Sequence, residues 1–400
     1  MARILYISYD GLMEPLGQSQ IWQYLRLLAK SHPITLVTYE KRRDWKDAAA
    51  RETLKSEVRR VGIEWIPLRY HKWPTVPATA YDLLVGFFVC SYLVWARHIQ
   101  IVHARSYMPS VLALILKGFF GTRFLFDMRG LWADERIDAG LWHENSSSYR
   151  FAKYFEKRFL QNADTAVVLT HAGMEEIKKF HFLKKRAPKF EVISTCVNLE
   201  LFTASIPTGR ENRGPFTMGY VGNASNWYLF DPALECFKIL QELERHARLL
   251  IVNQGQHAYI KERLLQFRIP EAAARLKAVS SLEVPVEMKK MTAGIFFIKP
   301  VFSKKASMPT RLGEYLASGV PCLCNAGIGD IDQMFEKENI GVLLREFTTE
   351  AKTNAVRKLS ALAKDPGVSN RCVAAAKKYF SLEKAADSYA VIYNSLCKQG

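Results

Sequence analysis

The most chemically pointed stretch of the chain is 303–319, SKKASMPTRLGEYLASG. Pro309 and Thr310 mark a loop-to-helix junction, with Thr310 in the N-cap role. A helix starting there presents unpaired backbone N–H groups and the positive end of its dipole, a combination that suits phosphate. Arg311 falls in the first turn, where a cation opposes the dipole unless it meets an anion. Such a local conflict is the mark of a functional position. Glu314 lies three residues on and shares the helical face. A carboxylate there can accept both hydroxyls of a ribose. The plain alternative is a surface Arg–Glu pair.

Further candidates stand at the ends of β-like runs. Asp127 and Arg129 close or follow the run 123–128, His103 and Arg105 the run 99–104, and Asp10 the run 3–8. Ligands of open α/β sheets bind at the carboxyl ends of strands, so these side chains are placed to meet one. The competing readings are an internal Asp127–Arg129 salt bridge and a satisfied core position for His103. Asp330-Ile-Asp332 matches an Asp-x-Asp metal pattern, but after the GIG turn it reads as a helix cap. No CxxC pair or His-x-x-x-His spacing suggests zinc. The seven cysteines (Cys90, Cys196, Cys236, Cys322, Cys324, Cys372 and Cys397) are odd in number and mostly in apolar runs. They read as reduced core thiols of a cytoplasmic protein.

The elements that must position these residues alternate. Strand-like runs occur at 3–8, 34–39, 63–68, 99–104, 123–128, 165–170 and 190–195, with helical stretches such as 47–61 between them. Residues 203–215, TASIPTGRENRGP, break the pattern and read as a linker. Alternation restarts with strands at 216–222, 248–253, 276–280, 294–299 and 320–325 and helices at 231–245, 257–267, 284–291 and 310–318. The tail, 349–397, reads as helical throughout. The expectation is α/β: two doubly wound domains, 1–205 and 216–380, facing each other across a cleft, with 381–400 a helix returning toward the first.

Composition narrows the partners. Lys and Arg number 56 against 39 Asp and Glu, a net charge of +17, which favours an anionic partner. The excess divides between 1–205 (29 basic, 20 acidic) and 206–400 (27 and 19), so no basic arm points to nucleic acid. The start, MARILYISYDG, lacks the long apolar region and cleavage site of a signal peptide. Residues 83–96, LLVGFFVCSYLVWA, run 14 positions without an exposed-type charge, against the roughly 20 a membrane span needs. They read as a core helix or as one dipping into a membrane interface. Aromatic and basic residues interleave nearby at 41–45 (KRRDW) and 69–74 (RYHKWP), which suits an anionic membrane surface.

The 303–319 segment resembles the donor-nucleotide signature of retaining glycosyltransferase family 4, the GT-B "group 1" transferases. One subgroup reads roughly S-x-P-T-K-L-G-E-Y-L-A-x-G-x-P-V. Ser307, Pro309, Thr310, Leu312, Gly313, Glu314, Tyr315, Leu316, Ala317, Gly319 and Pro321 match, with Arg311 in place of Lys. DGLMEPLGQSQIWQYLRLLA (10–29), IVHARSYMPS (101–110), FLFDMRGLWADERIDAGLW (124–142), YVGNASNWY (220–228), VSSLEVP (279–285) and NAGIGDID (325–332) fit the same subgroup, so the resemblance covers nearly the whole chain.

The resemblance implies a metal-independent, retaining transferase that uses a nucleotide-diphosphate sugar and no tightly bound cofactor. Glu314 would bind the ribose, Arg311 the pyrophosphate, and Ser307, Pro309, Thr310 and Leu312 would line the phosphate and sugar. Asn223 would join the donor loop; Gly17, Gln18 and Ser19 would bring backbone N–H groups to the phosphate or sugar. Asp127 and Arg129 would take catalytic roles, and Asp10, His103 and Arg105 would touch sugar or acceptor. Two departures stand out. Counting eight back from Glu314, where many members have a first Glu, gives Ala306, and the loop 222–231 lacks the Arg and Lys many members use on pyrophosphate. The implied acceptor is a glycan or lipid-linked molecule, worked on from the inner face of a membrane. The alternatives are a nucleotide-sugar epimerase on the same fold and a degenerate nucleotide- or glycan-binding protein.

Overall fold

A computed structural model describes residues 1–203 and 214–398. Residues Met1–Ser194 and the C-terminal helix Leu382–Lys398 form one compact unit; Thr195–Ser381 form the second. The division falls ahead of the 203–215 stretch read as the linker, and 204–213 lie outside the described residues.

The first unit holds seven parallel strands: β1 (Ile4–Ser8), β2 (Ile34–Glu40), β3 (Ile63–Arg69), β4 (Ile101–Arg105), β5 (Arg123–Asp127), β6 (Thr165–Val168) and β7 (Lys189–Val192). Their order is β3-β2-β1-β4-β5-β6-β7. Every residue of β1, β2 and β4 is buried, as strands covered on both faces by helices must be. That is why these runs are apolar without alternation. Ser8 pairs with Arg105, and Arg105 with Asp127, so the ends of three central strands lie in register. The order reverses between β1 and β4, which is where such a sheet opens a ligand crevice.

The second unit repeats the scheme with β8 (Thr217–Val221), β9 (Arg248–Val252), β10 (Ala274–Lys277), β11 (Ala293–Ile295), β12 (Cys322–Asn325) and β13 (Gly341–Leu344), ordered β10-β9-β8-β11-β12-β13. Its core fills with Met218, Tyr220, Phe237, Ile251, Ile295 and Phe297 among others. β13, GVLL, went unread in the sequence because it is short and merges with helical neighbours. Asn339, in the left-handed conformation, ends helix Ile331–Glu338 two residues before β13 begins, and a Cβ on Gly341 would lie 2.4 Å from the Cys322 carbonyl.

Six of the seven cysteines are buried and none is bonded to another. Asp330 occupies the N-cap position of helix Ile331–Glu338 without a side-chain cap bond, whereas Asp332 accepts from the Gly327 amide at 3.1 Å. The helix cap read for the Asp-x-Asp pair is thus not made; Asp332 instead ties down the preceding turn.

Candidate functional site

In the second unit the crevice forms where β8 ends. Gly222 follows with φ +92, and its amide donates to Val252 O at 2.8 Å. Asn253 Nδ2 donates to Gly222 O at 2.9 Å, and Gln256 Oε1 accepts from the Ala224 amide at 2.8 Å, so side chains after β9 shape the loop 222–228. Against this loop lies helix Thr310–Ala317. Tyr315 anchors it, donating to Gly219 O at 2.9 Å with its ring parallel to Phe296. Gly313 lets the helix sit against Val197 and Phe380; a Cβ there would lie 2.6 Å from the Phe380 ring. The Leu-Gly pair of the motif is therefore a packing requirement, with Leu312 fully buried.

Arg311 is 8% exposed. Its guanidinium lies 3.7 Å from the Tyr228 ring centroid, and its Nη2 donates to Asn223 O at 3.4 Å. Nη1 is buried with no partner. No salt bridge joins Arg311 to a carboxylate among the described residues, so the surface Arg–Glu pair does not form. A Cβ at position 222 would lie 2.5 Å from Arg311 Nη2, so a glycine is needed for both its positive φ and this approach. Tyr220 and Tyr228 were not legible as site residues, because they reach Arg311 from another element. Only the aromatic density of YVGNASNWY hinted at them.

The Glu314 side chain, partly buried one turn along, makes no hydrogen bond or ion pair among the described residues. Burial pushes its carboxyl up to about 7, with Arg311 opposing the rise. Thr310 is the first helical residue rather than the cap; Pro309 holds the N-cap position and offers no side-chain acceptor. The Leu312 amide turns back to Pro309 O at 3.1 Å, and the Thr310 and Arg311 amides lack the cap that Thr310 was expected to give, which leaves them to a ligand or to solvent. Ser307 and Thr310 are partly buried beside them, and Ala306, in place of a first Glu, is 1% exposed. Lys304 packs its ammonium 3.8 Å from the Trp227 ring centroid.

In the first unit the strand ends gather five of the expected residues. Asp127 is 1% exposed, with His103 Nε2 and Arg105 Nη1 each 3.6 Å from Oδ2 and Arg129 Nη1 3.8 Å from Oδ1. Asp10 lies 4.0 Å from Arg105 Nε at the open side. None of these ion pairs reaches hydrogen-bond distance, and both Asp127 oxygens lack hydrogen-bond partners. Burial alone would raise the Asp127 carboxyl, but Arg129, His103 and Arg105 outweigh it and hold it below the usual range. Burial likewise lowers His103, against the pull of Asp127. His103 Nδ1 lies 2.7 Å from the hydroxyl of Tyr393, supplied by the C-terminal helix. His103 is thus half satisfied: one nitrogen is held and the other turned to the charged cluster. Arg129 adopts φ +59 and Gly130 φ +144, a strained turn of the kind found at functional sites.

Gly17, Gln18 and Ser19 are placed otherwise than expected. Gly17 has a helical φ of −59, and a Cβ there would lie 2.0 Å from Gly11 O. It is required for the loop to fold onto itself, not for an open phosphate turn. Gln18 Nε2 donates to Leu12 O at 2.8 Å and Ser19 Oγ to Pro15 O at 2.9 Å, so both side chains are engaged locally. The residue that shapes this loop is Glu40, unread in the sequence. Fully buried at the end of β2, it accepts from the Leu12 amide at 2.7 Å and the Thr38 hydroxyl at 2.6 Å.

Comparison with known proteins bears on these geometries. Residues 18–194 match the family model described as glycosyl transferase 4-like domain, and residues 203–379 the model described as glycosyl transferases group 1. No curated protein sequence matches the chain. Among solved structures, it is similar to sucrose-phosphate synthase from Thermosynechococcus elongatus (TM-score 0.73, 15% identity, all of both chains covered). A glycosyltransferase from Rickettsia africae aligns with TM-score 0.70 at 14% identity, over 100% of this chain and 99% of that one. Anabaena HepE, solved with UDP and glucose, gives 0.67 at 14% identity, over 99% and 100%. The two matched halves, and the two parallel sheets that carry them, make this chain a member of the GT-B glycosyltransferase family, group 1.

Proposed function

We propose that the chain transfers a sugar, with retention of anomeric configuration, from a nucleoside-diphosphate sugar to a glycan or lipid-linked hydroxyl. It would do so without a metal ion, at the cytoplasmic face of a membrane. The observation that carries this reading is Arg311, a guanidinium 92% withdrawn from solvent with one nitrogen unpartnered and no carboxylate to neutralise it. A buried cation left in that state costs free energy until an anion arrives.

A diphosphate supplies that anion. Its oxygens would take the free Nη1 and the uncapped amides at the start of helix Thr310–Ala317, two kinds of donor fixed before the reaction begins. Glu314, on the same helical face, would accept the ribose hydroxyls. As the bond between the sugar C1 and the diphosphate breaks, negative charge grows on the leaving oxygen, where Arg311 stabilises it. The acceptor oxygen bonds to C1 from the same side and gives its proton to the departing diphosphate, so configuration is kept. HepE, solved with UDP-glucose, supports the donor class.

The test is to incubate the protein with a panel of nucleotide sugars and simple glycosyl acceptors in the presence of EDTA and read the anomeric proton coupling of the product. The reading expects turnover with retained configuration; an inverted product, or turnover that requires metal, would overturn it.

A further inference from the structure

Helix Thr75–Arg97 is apolar on two opposite faces. Its inward stripe runs Asp82, Gly86, Cys90 and Leu93, all buried. Asp82 accepts from the Tyr9 hydroxyl at 2.9 Å and from the His71 amide at 3.0 Å, and its other oxygen lies 2.6 Å from His71 Nδ1. Gly86 touches the sheet so closely that a Cβ would lie 2.0 Å from the Tyr39 hydroxyl. This face is committed to the protein. The outward stripe, Leu84, Phe88, Tyr92 and Trp95, repeats the same spacing and is exposed, Phe88 by 64% and Trp95 by 71%.

Two neighbouring helices extend the patch. Tyr107–Phe120 packs beside it and adds Phe119, 74% exposed, whose ring meets Phe87 at 6.2 Å. Ser147–Asn162 packs against that helix in turn and adds exposed Phe151 and Tyr154. Large aromatics exposed in this number on neighbouring helices mark an interaction site.

Charge is sorted across the same three helices. Their two acidic residues, Asp82 and Glu156, are both turned inward, 1% and 0% exposed. Arg150, Lys157 and Arg158 face solvent, while Arg97 is tied to Glu64 at 2.8 Å. The outward side therefore presents aromatics and cations with no carboxylate of its own to repel an anionic surface, the composition of an interfacial helix.

We propose that this helical layer of the first unit docks on an anionic phospholipid bilayer. Helix Thr75–Arg97 lies in the interface, with Leu84, Phe88, Tyr92 and Trp95 at the acyl boundary and the neighbouring cations among the headgroups. By length and composition this helix is the one among the described residues that could cross a membrane. The polar and close contacts of its inward stripe argue against crossing, because they would be left in hydrocarbon. A protein partner fits less well, since the three helices themselves expose no carboxylate to set its register. The inference rests on the membrane placement in the proposed function and deepens it; docking there would bring a lipid-linked acceptor to the enzyme, and vesicle binding is read separately from sugar transfer.

The test uses the full chain and phosphatidylcholine vesicles with and without phosphatidylglycerol, at low and high salt. Binding is read by cosedimentation and by tryptophan emission. Docking expects a blue shift and strong binding to anionic vesicles that weakens, but persists, at high salt. The combined Phe88→Ser, Tyr92→Ser and Trp95→Ser variant should bind at least about tenfold more weakly. Replacing Arg150, Lys157 and Arg158 with Glu should remove the preference for anionic lipid. Unchanged thermal stabilisation by nucleotide in both variants would show that the fold survives. Three results would each overturn the proposal: vesicle binding unchanged in the Ser variant, no wild-type binding to anionic vesicles at low salt, or a lipid-free dimer that the Ser variant dissolves. Resistance to alkaline extraction from membranes would also overturn it, in favour of a span.

Discussion

The two units place charge at the carboxyl ends of their sheets in opposite ways. In the first, two guanidinium groups, an imidazole and the carboxylates of Asp127 and Asp10 gather, so the two cations meet two anions. In the second, Arg311 stands alone on the Tyr228 ring, and the nearby Glu314 is pushed toward its neutral form. A self-balanced cluster suits a neutral sugar or hydroxyl that must be oriented. An unbalanced cation suits an incoming anion. Two sheets of the same kind thus specialise by how much charge each leaves unspent.

The largest expected effect follows from removing the unspent charge. Arg311→Ala should lower kcat/KM by roughly 10²–10³-fold while leaving the fold intact, since it deletes a donor aimed at the leaving group. Arg311→Lys should recover only part of the loss, because an ammonium reproduces neither the flat stack on Tyr228 nor the forked donors. Steady-state kinetics alongside thermal melts would check both.

The balanced cluster should break differently. Asp127→Ala strands Arg105, buried, and Arg129, 12% exposed, without their shared counter-charge, and should cost roughly 3 kcal/mol of stability. Denaturant unfolding would measure it. If Arg311→Ala proved the more destabilising of the two, the contrast drawn between the sites would fail.

Glu314 sharpens the comparison through pH. Its folded-state value, about 7, is raised, so in the free protein its contribution to stability is complete below the ordinary carboxyl range and is lost as pH rises through 7. Ribose hydroxyls need the ionised acceptor, so nucleotide binding should run the other way. Affinity should fall by up to about tenfold per pH unit below 7, and Glu314→Gln should flatten the profile. Calorimetric titration across about pH 5.5–8, which brackets the Glu314 value of about 7, would show it.

The smallest effect belongs to Tyr393. Tyr393→Phe removes the hydroxyl 2.7 Å from His103 and should cost about 1 kcal/mol, with a modest fall in turnover.

How far the sequence reveals this arrangement depends on the range of the interactions. The central strands were legible because burial on both faces forces continuous apolar runs, and the helix after Pro309 because its turn chemistry is local. Arg311 showed itself by opposing its own helix dipole. Its cradle did not, because Tyr228, Tyr220 and Gly222 come from β8 and the loop after it, about ninety residues earlier. Gly17 resembled a phosphate turn because sequence spacing cannot separate a glycine needed for positive φ from one needed for close packing; the 2.0 Å approach to Gly11 O decides it. Glu40 and the His71–Asp82 pair were hidden for the same reason: each organises a loop from a distant element.

The central claim is that Arg311 is held unneutralised to receive a diphosphate. Thermal stabilisation of the wild type and Arg311→Ala by UDP, GDP and dTDP, each compared with its own nucleoside, tests it most directly. The account predicts that one diphosphate stabilises the wild type well beyond its nucleoside and that this margin vanishes in the variant. An undiminished margin in Arg311→Ala would contradict it.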